Sequence, residues 1–358
     1  KYSKLMQLES IEFSFLSIFT LITFFIFLIT SKYSYKIKNG ALLDQDFSKP
    51  QAFHRYAIPR SGGLAAIISL NIFFFFYFLL YSNVLHEYIF ICNLMFLIGF
   101  LDDIKIKVSP SKRLALMIIF LFFSIHILSL KISNVDIPFL ISILEIDIFS
   151  SIFVLICFLF IINGSNLIDG FNGLLTINLV IINLILLYIN ISSGNNEFSI
   201  FLIAQIIVLL SFILFNFPNA KIFFGDSGSY VMGTLVALNS IITNNLNPDY
   251  SSFFFCNLLF YLFFEVFFSF LRKVIKKKSP VHPDNKHLHM LTYARVSLIF
   301  GKDKGNYMNS IIINAVYLLL ILPAIIFSKD PMISKYWFFS LITIYLLIYL
   351  RLYHFTKN

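Results

Sequence analysis

Long apolar runs, broken by short polar segments, recur along the whole chain. A helix needs about 20 apolar residues to cross a bilayer. On that criterion the pattern predicts about eleven transmembrane helices, near 11–30, 62–82, 86–101, 114–130, 148–164, 174–191, 198–217, 228–244, 253–271, 309–327 and 333–350. The expected fold class is an all-α polytopic membrane protein, with residues 1–358 forming one domain and no fixed-period repeat. The run from Phe13 to Thr30 is too long for the apolar core of a signal peptide, and no small-residue cleavage site follows it. It is read as a retained first span, and since the chain starts at Lys1 rather than Met, its start is expected to lie upstream. Between the fourth and fifth spans, Val135, Ile137, Phe139 and Ile141 alternate with other residues, a weak strand signal that predicts a short external hairpin.

Composition strengthens the membrane reading. Only 13% of residues are charged and 59% are hydrophobic, whereas a soluble domain carries about 25% charged residues. The 46 Phe fill lipid-facing and interhelical space. Cys92, Cys157 and Cys256 sit inside apolar runs, with no metal or disulfide spacing. The net charge of +9 could suggest nucleic acid, but its placement argues against that partner. Of the 27 Lys and Arg residues, 22 fall in one set of alternating loops, and only Lys1, Lys4, Lys131, Lys329 and Lys335 lie opposite. The basic set is expected to be cytoplasmic, which puts the N-terminus outside and the C-terminus inside.

Four polar clusters then fall on the cytoplasmic face. Asp102 and Asp103, at the end of the third span, can hold a hard cation or share protons. As neighbours on a helix they point about 100° apart. Their roles should therefore differ, one facing a phosphate groove and the other a metal or a Lys. The segment NGSNLIDGFNGL, from Asn163 to Leu174, contains Asp169 without a local basic partner, and Gly170 and Gly173 permit close backbone approach. In KIFFGDSGSYVMG, Asp226 suits Mg²⁺ and the following helix start suits phosphate. Its GDSG string also occurs around a serine-protease nucleophile, but Ser227 lacks the β-barrel setting and paired His that chemistry needs. The fourth cluster, KKKSPVHPDNKHLHMLTY, carries His282, Asp284, His287 and His289 without any Cys, so zinc is disfavoured. His287 and His289 could donate hydrogen bonds to a diphosphate, while Lys276, Lys277 and Lys278 read as an anchor to anionic lipid. Carboxylates, a helix start and a basic loop on one face suggest metal-assisted phosphoryl transfer between a soluble and a bilayer-dissolved substrate.

PRSGG (Pro59 to Gly63), LDD, NLIDGFNGL, FFGDSGS and NKHLH occur in this order. Together they make the chain resemble the polyprenyl-phosphate N-acetylhexosamine-1-phosphate transferases, of the glycosyl transferase family 4 type, from His54 to about Tyr293. That family includes the phospho-MurNAc-pentapeptide transferase of peptidoglycan synthesis and GlcNAc-1-phosphate transferases that start O-antigen and teichoic acid synthesis. The resemblance implies transfer of HexNAc-1-phosphate from a UDP-HexNAc donor to undecaprenyl phosphate, with release of UMP and with Mg²⁺ or Mn²⁺ as cofactor. It implies a place in the inner (cytoplasmic) membrane and a start to surface-polysaccharide, O-antigen or lipopolysaccharide synthesis. Expected partners are the two substrates and membrane lipid, not nucleic acid, with a homodimer as the assembly considered. By motif match Asp226 resembles the metal ligand. Asp102 and Asp103 resemble a catalytic pair near the lipid phosphate, and Asp169, with Asn166, falls in the nucleotide-sugar site. His287 and His289 resemble the loop that recognises the sugar nucleotide, and Arg113 and Lys112 are expected as phosphate contacts.

Two positions depart from the family pattern. Asn172 stands where many members have Asp, and Met290 where another His often follows. The HPDNKHLHMLTY loop looks more like the surface-polysaccharide enzymes than the peptidoglycan enzyme, which remains the rival within the family. A membrane transporter is the rival of another class, but transporter sites lie near mid-membrane, whereas these acids gather at one face. A scaffold without catalysis is disfavoured by the intact Asp102, Asp103, Asp169 and Asp226.

Overall fold

A computed structural model describes residues 2–45, 56–106, 108–279 and 284–356. Within them the helices, in chain order, are α1 (Tyr2–Tyr33), α2 (Gly62–Tyr81), α3 (His86–Asp103), α4 (Pro110–Ile127), α5 (Pro138–Leu144), α6 (Asp147–Ile168) and α7 (Leu174–Ser192). They continue with α8 (Asn196–Asn216), α9 (Gly225–Leu246), α10 (Ser252–Leu258), α11 (Phe260–Ile275), α12 (Leu288–Phe300), α13 (Lys302–Ile326) and α14 (Pro331–Phe355). A two-residue antiparallel ladder, β1 (Leu43–Asp44) with β2 (Ile58–Pro59), precedes α2.

The protein is an all-helical, polytopic membrane protein. Among the described residues eight helices are long and apolar enough to cross a bilayer, or nine if the pair α10 and α11, bent by 75°, is one span. The predicted third and eighth spans coincide with α3 and α9, which fall outside that set. α3 carries Glu87, Asp102 and Asp103, and α9 is rich in Ser, Thr, Asn and Gly. α9 is also encased by its neighbours, with 17 of its 22 residues buried. A helix surrounded by protein does not need lipid-compatible side chains, provided its polar groups find partners. They do. Asn239 of α9 donates to Asn183 Oδ1 of α7 (2.9 Å) and Gln205 Oε1 of α8 (2.7 Å), and accepts from the Tyr88 hydroxyl of α3 (2.8 Å). One layer away, Asn190 donates to Thr243 Oγ1 at 2.9 Å.

The expected hairpin in the 133–147 segment is not formed. Ser133 to Ile137 is irregular, and Pro138 opens the short helix α5, as its fixed φ and missing N–H suit a first helical position. The polar groups before it are satisfied by the loop after α9. Asn134 donates to the Tyr250 carbonyl (2.8 Å), and Asp136 accepts from Ser251 Oγ (2.5 Å).

Candidate active site

The segment before α2 and the segment before α9 are joined by their backbones. Phe223 N–H donates to the Pro59 carbonyl, Gly62 N–H to Phe223 and Gly63 N–H to Phe224, each at 2.9 Å. The contact is close enough to demand glycine. A Cβ on Gly63 would lie 2.3 Å from the Gly228 nitrogen, and one on Gly99 of α3 would lie 2.5 Å from the Ser227 nitrogen. PRSGG, LDD and FFGDSGS thus form one packed unit.

Asp103 is the keystone of that unit, with only 1% of its surface exposed. Its Oδ1 accepts the Asp226 N–H at 2.9 Å, and its Oδ2 accepts the Ser227 N–H (2.9 Å) and hydroxyl (2.5 Å). A helix N-terminus leaves N–H groups without intrahelical partners and carries partial positive charge, so a carboxylate there is doubly favourable. Gly225 makes room for it. Its φ is +73°, and a Cβ would sit 2.4 Å from Asp103 Oδ1. The start of α9 was expected to be open to phosphate. Two of its N–H groups are instead occupied by Asp103, which turns toward α9 and not toward a Lys.

Asp102, one residue earlier, diverges as helical geometry requires, and its side chain is 29% exposed. Arg113, in the first turn of α4, pairs directly with Asp226 Oδ2 and lies 3.4 Å from Asp102 Oδ1. Asn166, in the last turn of α6, donates to Asp226 Oδ1 (3.2 Å) and Ser229 Oγ (2.9 Å). Arg60 completes the cluster. It donates to Asp44 Oδ2 (2.8 Å) and stands 3.6 Å from Asp102 and 3.8 Å from Asp103. Burial works against its charge, but the carboxylates of Asp44, Asp103 and Asp226 raise its pKa above the ordinary value. Asp169, at the C-terminal end of α6, has its pKa held well above the carboxylate range by burial and then by Asp226 and Asp103, with Arg60 opposing. Lys112 is exposed on α4 and, among the described residues, joins no ion pair of this cluster. Arg60 and Asp44 had no role in the sequence reading. Arg60 stood within the PRSGG motif with no role of its own, and Asp44 reaches it through the β1–β2 ladder.

Among the described residues no three His, Cys, Asp or Glu side chains form a ready metal cluster. The donors that do converge are hard oxygens, the chemistry Mg²⁺ requires. Asp102 and Asp226 already share one cationic partner, the Arg113 guanidinium. A pair of carboxylates bridged by a cation fits a divalent ion.

The fourth cluster is built differently from expectation. His282 lies outside the described residues. His287 and His289 are 2% and 0% exposed, so neither ring lines an open surface. His287 Nδ1 lies 3.1 Å from Glu265 Oε1 of α11, and its Nε2 lies 3.4 Å from Asp284 Oδ1. The His289 ring is parallel to that of His287 at 5.4 Å and edge-on to Phe171 at 5.9 Å. Burial pushes the His289 pKa down to about 3, the nearby Glu265 notwithstanding, so this imidazole is neutral. Asn172 holds a turn: its N–H donates to Asn306 Oδ1 (2.9 Å) and its side-chain amide donates to the Pro218 carbonyl (2.8 Å).

Residues 85–244 match the family model described as glycosyl transferase family 4. Over that stretch the chain is similar to that family. The match bears out the resemblance drawn from the motifs, and it takes in Asp102, Asp103, Arg113, Asn166, Asp169 and Asp226 but ends before α10. The undecaprenyl-phosphate alpha-N-acetylglucosaminyl 1-phosphate transferase of Thermotoga maritima is 28% identical over 280 residues, covering 74% of this chain and 77% of that protein. The phospho-N-acetylmuramoyl-pentapeptide-transferase of Clostridioides difficile is 30% identical over 198 residues, covering 52% and 62%. Its counterpart in Leuconostoc mesenteroides is 39% identical over 107 residues, covering 30% and 33%. Of these three proteins, the GlcNAc-1-phosphate transferase is similar over the longest stretch of the chain.

Proposed function

We propose that the protein transfers a HexNAc-1-phosphate from a UDP-sugar to undecaprenyl phosphate and releases UMP, as the first step of surface-polysaccharide or O-antigen synthesis. The observation that carries this reading is the meeting of Asp102, Asp226, Asn166 and Arg113 at one end of the bundle, in a chain similar along most of its length to a GlcNAc-1-phosphate transferase. In the net reaction the donor's α–β bridging P–O bond breaks, and a bond forms between the β-phosphorus and an acceptor phosphate oxygen. Such chemistry is mostly positioning and charge neutralisation.

Asp226, held by Asn166 and Arg113, and the more exposed Asp102 are the residues that would hold Mg²⁺ or Mn²⁺. When bound, the ion supplies neutralisation of the diphosphate and of the departing UMP. Arg113, paired with Asp226, is placed to bind phosphate. Asp169, with its raised pKa, can hold a proton beside the donor, and Asp103 fixes the helix start on which Asp226 sits. The basic loops support eleven spans, an external N-terminus and a cytoplasmic C-terminus, with the site on the cytoplasmic face of the inner membrane. The pentapeptide transferases are similar over a shorter stretch, and they define the second donor to test. The test is UMP release from a panel of UDP-sugars. Turnover of UDP-GlcNAc or a related UDP-HexNAc is expected, and turnover of UDP-MurNAc-pentapeptide alone would reverse the assignment.

A further inference from the structure

Glu265 is a fully buried acid on α11, beside the buried Phe260, Tyr261, Leu262 and Phe264 of the same helix. A carboxylate persists in such surroundings only when its oxygens are used. Among the described residues its hydrogen-bond partners lie on α14 or at the start of α12. Oε1 accepts the Leu288 N–H at 3.0 Å and faces His287 Nδ1 at 3.1 Å, and Oε2 accepts the Tyr345 hydroxyl at 2.7 Å. A turn further along α14, the Tyr349 hydroxyl donates to the Lys286 carbonyl at 3.1 Å. Arg272 of α11, which donates to Asp284 Oδ1 at 3.1 Å, lies 6.0 Å from the Tyr349 ring centre. The Lys276 and Lys286 ammonium groups sit 5.3 and 5.6 Å from the ring of Tyr353.

The held segment, residues 284–289, leads directly to the proposed site. His287 stacks on His289, and His289 meets Phe171, two residues beyond Asp169. Asn309 of α13 donates to the His289 carbonyl at 3.0 Å, which fixes the other side. A displacement of His287 must therefore move His289 and press on the loop that carries Asp169.

The geometry points to α14 and Glu265 as a brace for the donor side of the site, with Glu265, Tyr345 and Tyr349 as positioning residues that set affinity for the uridine-nucleotide donor. This rests on the proposed transferase function. None of the three residues lies in the segment matched to the family. The rings of Tyr345 and Tyr349 pack in the aromatic cluster with Phe260, Phe264 and Leu291, so a Phe at either position keeps the packing and removes only the hydroxyl.

The test uses the full chain in detergent or vesicles, with Tyr345→Phe, Tyr349→Phe and the double variant. UDP binding by calorimetry is measured beside steady-state turnover and thermal unfolding. The expected result for the double variant is about a tenfold loss in UDP affinity and a similar rise in donor KM. The undecaprenyl-phosphate KM should stay within about twofold, and the unfolding midpoint should fall by about 3 °C or more, because Glu265 Oε2 loses its donor. Equal rises in both KM values, or a lowered midpoint with unchanged UDP affinity, would reduce the brace to a fold-stabilising contact and overturn the proposal. Glu265→Gln, which keeps one acceptor oxygen, should move the same parameters in the same direction. If the wild type binds UDP but releases no UMP from any UDP-sugar, the transferase reading fails while the brace is still judged on UDP affinity. If the wild type binds no UDP, both fall.

Discussion

At the α3–α9 junction the polar side chains find their partners inside the motifs themselves, whereas the His287–His289 segment is held by helices that carry no motif. Asp103 is fixed by the N–H groups of the GDSG string, and Asp226 by an Asn and an Arg from two further polar segments. Three glycines let the backbones meet. The His segment depends instead on one acid and two hydroxyls, Glu265, Tyr345 and Tyr349, each embedded in an aromatic helix. The first region is therefore rigid by backbone contact, and a change there should be felt as lost chemistry or lost folding. The second is adjustable through single hydroxyls, and a change there should be felt as altered affinity.

The largest expected effect falls on Asp226. Its carboxylate does not hold the start of α9, since Asp103 does, so Asp226→Asn should lower turnover by about 100-fold or more while leaving the unfolding midpoint nearly unchanged. Near-normal turnover in this variant would remove Asp226 from the site. Asp103→Asn should behave in the opposite sense. It replaces an acceptor for three donors by a group with one acceptor oxygen, deep in the protein, and should cost on the order of 3 kcal/mol of stability. Equal stability of Asp102→Asn and Asp103→Asn in chemical denaturation would contradict this division of the pair. The smallest effect is expected at Lys112, exposed beside Arg113. Lys112→Ala should leave both KM values within about twofold, in line with substitutions of unpartnered surface residues, and a larger change would bring Lys112 into the phosphate site.

Much of this architecture is legible in the sequence, because apolar length and polar interruption report directly on helices. Each predicted span lies on a helix, although the ninth is broken between α10 and α11. The convergence of Asp102, Asp226, Asn166 and Arg113 also follows, since alternating loops bring the ends of α3 and α6 and the starts of α4 and α9 together. The direction of a side chain is another matter. Asp102 and Asp103 look equivalent in sequence, and only the packing of Gly99 against Ser227 turns one of them into α9. Arg60 depends on Asp44 across a ladder of two residues, too short to register as strands. Glu265 is a single acid in a run of Phe, and its meaning lies in partners more than 20 residues away. The 133–147 segment misled because alternation over a few residues cannot tell a strand from a loop whose polar groups are met by side chains.

The central claim is that a phosphosugar, not a bare sugar, moves to the lipid, and it can be tested with UDP-GlcNAc carrying ³²P in the β-phosphate. With undecaprenyl phosphate and Mg²⁺, the label should pass into the organic phase in step with UMP release, and should stay in the aqueous phase without the acceptor or in the Asp226→Asn variant. Label that remains in the water phase as UDP while the sugar enters the lipid would contradict the account, because the bond broken would then be the one between the sugar and its phosphate.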